Sequence, residues 1–134
     1  MFLSSLGRFQ DAGLLLVRLA IGIFYVVVHG WPKLLGGPDK WEKVGAALGN
    51  LGVTFAPEFW GLMAALTESI GAALFAIGFL FRPSSLLLAF VMGVAATMHL
   101  KAGDGLIGAS HAIEMGIVFL GFVFIGPGKY SFDK

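Results

Sequence analysis

Apolar residues fall into four long runs separated by short polar breaks, with one longer polar interlude after the first run. The runs predict helices over about 11–31, 58–81, 84–100 and 106–125, close to the roughly 20 residues that a bilayer crossing takes. Residues 34–57 form the interlude. There Asp39 and Glu42 read as a variant capping box, and Trp41, Val44, Leu48 and Leu51 recur at helical spacing. This pattern predicts a short amphipathic helix on the membrane surface, covering the bundle mouth with Trp41 at headgroup level. Arg82-Pro83 closes the second span, and the turn around Lys101, Gly103, Asp104 and Gly105 joins the third to the fourth. The expected fold class is all-α: an integral membrane four-helix bundle with a short interfacial helix between helices 1 and 2, a single transmembrane domain over residues 1–134.

The polar exceptions inside these runs carry the candidate chemistry. In the first, Arg18, Gly22, Tyr25 and His29 fall at i, i+4, i+7 and i+11, one stripe of a helix. A charged side chain in hydrocarbon costs at least ~2.5–3.5 kcal/mol, so Arg18 is expected to face the bundle interior. In the second run Glu68 shares a face with Gly61, Ala64, Ala65, Gly71, Ala72 and Phe75, small residues that let a neighbouring backbone approach. The fourth carries His111 and Glu114, three residues apart.

Alternating spans put His29, Lys33, His99 and His111 near one membrane surface, with Glu68 and Glu114 roughly 10–12 Å below it. Arg18 approaches from beneath, and an Arg18, Glu68 and Glu114 cluster is expected. The candidates for ligand binding or proton relay are therefore Arg18, Tyr25, His29, Lys33, Glu68, His99, His111 and Glu114, with no catalytic residue assigned. The His111-x-x-Glu114 spacing is weak evidence for a metal, and no metal site is assigned. The plainer reading makes the Arg18 cluster a register-fixing ion network, Lys33 a snorkelling anchor and Tyr130 part of an aromatic belt.

Composition excludes several classes. With 57% hydrophobic and 13% charged residues and a mean hydropathy of +0.88, the chain cannot cover a water-soluble globule with polar surface. A net charge of +1 without basic clusters excludes nucleic acid as a partner. Without cysteine, the chain cannot exchange disulfides by itself. Asp11 ahead of the first run and Arg18 within it argue for a retained helix rather than a cleaved signal. Arg8, Arg82, Lys129 and Lys134 fall on one side of the membrane and Lys33, Lys40, Lys43 and Lys101 on the other. Arg18, nearer the first group, tips the expected orientation toward cytoplasmic termini. Helices 1 and 3 each end in His while helices 2 and 4 each carry a Glu, a faint internal repeat.

His29-Gly30 with Lys33, Glu68-x-x-Gly71, Gly78-Phe79-Leu80-Phe81-Arg82 and the terminal Gly126-Pro127-Gly128-Lys129-Tyr130-Ser131-Phe132-Asp133 together resemble the DoxX family of small four-helix membrane proteins. The resemblance covers essentially the whole chain. It departs where Ala72 replaces a second glycine after the acid, and where Trp31-Pro32 separates Gly30 from Lys33. Membership implies a cell membrane and a role near quinone, sulfur or oxidative-stress redox chemistry, with quinone as the cofactor. The sequence has no flavin, haem or cluster motif, so a redox partner protein is expected to supply electrons. The competing expectation is a non-catalytic assembly or scaffold subunit with a structural buried ion cluster. A homo-oligomer is a further expected association besides the lipid bilayer.

Overall fold

The computed structural model describes residues 2–133. The Lys134 charge, counted above for orientation, lies outside them. Four helices are long and apolar enough to cross a membrane: α1 (Ser4–Leu35), α3 (Pro57–Ile77), α4 (Phe81–Lys101) and α5 (Gly105–Ile125). Between the first two lies α2 (Gly37–Gly45), continued by a tight turn over Ala46–Leu51. The expected all-α bundle with an interfacial helix is the observed architecture, and no strand occurs among the described residues. Helix α1 packs on α3, α3 on α4 and α4 on α5, while α2 lies across α3.

Helix α1 is longer than its pattern predicts at both ends. Its polar start forms tight 3-10 turns over Ser4–Phe9, and Pro32 does not stop it. A wide π-helical segment, Tyr25–Gly30, falls just ahead of Pro32 and rephases the ladder before a residue that cannot donate a backbone hydrogen bond. Helix α3 ends earlier than predicted. Gly78, at φ 75°, takes the left-handed conformation that caps a helix C-terminus, four residues before Arg82. Asp39 forms no side-chain cap on α2, so the capping box is not made; Gly36 precedes that helix instead.

A second π-helical segment, Thr67–Gly71, lies in α3 opposite the one in α1. The two backbones meet at Gly30. A Cβ there would stand 2.2 Å from the Glu68 carbonyl oxygen, so only glycine allows this approach. The contact sets the register of α1 against α3. Arg18, twelve residues before Gly30, therefore lies about 18 Å along the axis from the Glu68 level.

At that far end the C-terminal tail folds under the bundle. Arg18 is 1% exposed. Its Nε donates to the Ala76 carbonyl at 2.9 Å, and its two terminal nitrogens donate to the Pro127 and Tyr130 carbonyls. The tail is tied at both ends. Lys129 N–H donates to Asp11 Oδ1 at 2.9 Å, and the Asp133 carboxylate accepts from Leu80 and Phe81 N–H at 2.9 and 2.8 Å. Asp133 thus caps the start of α4 from the other end of the sequence. The core between the two ends is aromatic: Phe75, Phe81, Phe119 and Phe122 pack with ring centroids 4.8–5.7 Å apart.

Two substitutions probe this frame through thermal unfolding in detergent micelles. Gly30→Ala forces α1 from α3 and is expected to cost about 1–3 kcal/mol. Arg18→Met strands the buried Ala76 carbonyl and two part-buried tail carbonyls and is expected to cost about 3 kcal/mol or more. An unchanged midpoint in either variant contradicts the corresponding contact.

Candidate functional site

The register set at Gly30 brings Lys33 onto Glu68. Their ammonium and carboxylate form a direct ion pair, with Glu68 1% exposed and Lys33 26% exposed. Lys33 is therefore not the freely snorkelling anchor of the plainer reading. Trp41 Nε1 donates to the Lys33 carbonyl at 3.0 Å, which turns that indole onto the end of α1 rather than toward headgroups. Helix α2 is held over the bundle mouth by this bond.

Tyr25 is buried, its hydroxyl 3.4 Å from both Met92 Sδ and His111 Nε2. His29 lies over it with ring centroids 4.8 Å apart and stacks on His111 at 5.5 Å and 25°. His99 pairs through Nδ1 with Asp104 Oδ2 at 2.8 Å. These rings sit where the ends of α1 and α4 meet the start of α5, as the alternation of spans predicts.

A cavity of about 660 Å³ opens among these groups, with His29, Lys33, Glu68, His99 and His111 on its wall. The rest of the wall is mainly apolar, built from α3 and α4 side chains such as Met63, Phe90 and Met98. Val44 and Leu48, from α2 and its following turn, roof it. Such a space, apolar with a few convergent polar groups, is the usual form of a small-molecule site. Trp60 also lines it, and its buried Nε1 is the one buried side-chain polar atom without a hydrogen-bond partner among the described residues. Buried indole N–H groups ordinarily find an acceptor. The sequence alone does not mark Trp60, because an indole near the start of a span reads as an interfacial anchor.

The expected cluster of Arg18, Glu68 and Glu114 does not form. Arg18 is held by carbonyls at the opposite end of the bundle, for the axial reason given above. Glu114 is exposed on the outer side of α5, opposite buried Ala112 and Phe119. The structure therefore gathers Tyr25, His29, Lys33, Glu68, His99 and His111 and leaves Arg18 and Glu114 out. No group of three His, Cys, Asp or Glu with metal-binding geometry occurs among the described residues.

The DoxX family profile matches residues 13–100. The chain belongs to the DoxX family. The match spans α1 to α4 and so includes every gathered residue except His111. This DoxX chain is a multi-pass membrane protein. No curated protein and no solved structure matches it.

The ion pair has a measurable signature in thermal unfolding. Lys33→Met strands a buried carboxylate and is expected to cost about 3–5 kcal/mol, whereas adding Glu68→Leu restores most of that loss. A double variant no more stable than the single one refutes a desolvated pair.

Proposed function

We propose that this DoxX chain is a redox-linked membrane subunit whose cavity holds a quinone-type amphiphile. The observation that carries the reading is the apolar cavity itself, whose wall gathers Lys33, Glu68 and three histidines. A quinone has acceptor oxygens on a flat ring and an apolar tail. The histidines offer donors to such oxygens, and the methionine and phenylalanine wall suits the tail. The bound quinone would take up electrons and protons, the electrons coming from a partner protein. His29 and His111, stacked at the mouth side, hold and release protons between the cavity and water. The proposed setting is the cell membrane with both termini in the cytoplasm.

The second reading is a non-catalytic assembly subunit, favoured by the purely structural capture of Arg18. The two differ in ligand binding. Purified full-length chain in lipid nanodiscs, titrated with a short-tailed benzoquinone analogue, is expected to bind saturably. His29→Leu is expected to weaken that binding about tenfold through loss of one hydrogen bond. Absence of saturable binding, or equal affinity in wild type, His29→Leu and the Lys33→Met/Glu68→Leu pair, overturns the quinone reading and favours the assembly role.

A further inference from the structure

Glu114 is the anomaly of this bundle. It lies nine residues from the start of α5 and eleven from its end, about 14 and 17 Å by helical rise, and so near mid-membrane. It is exposed, faces away from the core, and has no partner among the described residues. Its neighbours on that face are apolar and bare: Ile107 is 91% and Ile117 66% exposed. An acid in contact with lipid alone is costly, so its partner is to be sought outside the chain.

The outer face of α5 shows what kind of partner fits. Ile107, His111, Glu114, Val118, Gly121 and Ile125 recur at intervals of four, three, four, three and four, the a/d seam of a left-handed helix pair. A Cβ on Gly121 would meet nothing within 4 Å, so a second backbone can come close there. His111 and Val118 take a positions and Glu114 the d position between them; in a parallel pair a d-position side chain packs between the flanking a residues of its partner, which sets Glu114 beside His111 and Val118 of the other helix. His111 is exposed too, and its Nε2 faces Tyr25, leaving Nδ1 to donate.

We propose that α5 is a self-association face, on which a second copy of this chain docks in parallel about a two-fold axis along the membrane normal. Each Glu114 carboxylate then accepts from Nδ1 of the opposite His111, twice over by symmetry. A second copy is favoured over a foreign helix because the seam carries its own complement. The chain's two membrane-depth cations are unavailable, Arg18 being taken by carbonyls and Lys33 by Glu68. Since His111 also lines the cavity, the opposite Glu114 would fix the orientation of a cavity imidazole. The proposal does not depend on the quinone reading.

The absence of cysteine makes the test direct. Full-length Val118→Cys, in phosphatidylcholine vesicles under oxidation, is expected to give a covalent dimer of twice the chain mass. Ile23→Cys, at similar depth on the bare outer side of α1, is expected to stay monomeric. Adding Glu114→Leu to Val118→Cys is expected to lower the cross-linking yield about tenfold. Glu114 is exposed and has no partner among the described residues, so its replacement preserves folding. Equal cross-linking at Val118 and Ile23, or a yield indifferent to Glu114→Leu, overturns the proposal. So does a cross-link in native membranes to a different polypeptide in place of the homodimer.

Discussion

A guanidinium at membrane depth must be satisfied, and here backbone carbonyls rather than an acid satisfy it. Helix α3 ends with unpaired carbonyls, as every helix does, and the Ala76 carbonyl among its last residues accepts from Arg18. The other two acceptors come from the tail, more than a hundred residues further along the chain. One side chain of α1 thus fastens α3 and the C-terminus together. The tail in turn caps α4 through Asp133, so three spans share one junction. The arrangement resembles a cation at a helix C-terminus, where the partial negative charge of the helix dipole favours it.

With the tail end closed in this way, the polar groups of the mouth end are free of Arg18. Glu68 takes Lys33 as its counter-ion, and the histidines and Tyr25 gather around the remaining space. The two π-helical segments lie at this level, on α1 and α3, facing each other. A wide turn leaves its backbone less regularly paired, and such segments recur at functional sites. In this chain they carry His29 and Glu68 into the cavity wall. The division of labour is physical: a hydrogen-bonded knot below, a cavity with loosely partnered donors above.

Much of this was legible in the residues. Four apolar runs give four spans because a bilayer rewards little else, and the Arg18, Gly22, Tyr25, His29 stripe turns inward as helical geometry requires. The placing of four mouth-side groups together follows from alternation alone. The direction of Glu114 is not legible, because α5 is apolar on every side and no polar face reveals which way it turns. The partners of Arg18 are not legible either, because they are backbone carbonyls of α3 and of a distant tail, and carbonyls leave no mark in a sequence.

The sequence by itself determined that this is a bundle of membrane helices with few ionisable groups, most of them facing inward, since local hydropathy and the 3.6-residue repeat need no tertiary information. Only the tertiary structure decided which group meets which. A glycine contact at Gly30 sets how far α1 slides along α3, and that single offset gives Lys33 to Glu68 and sends Arg18 to the tail. Axial register between helices depends on side-chain volume at the crossing, a quantity no one-dimensional pattern contains.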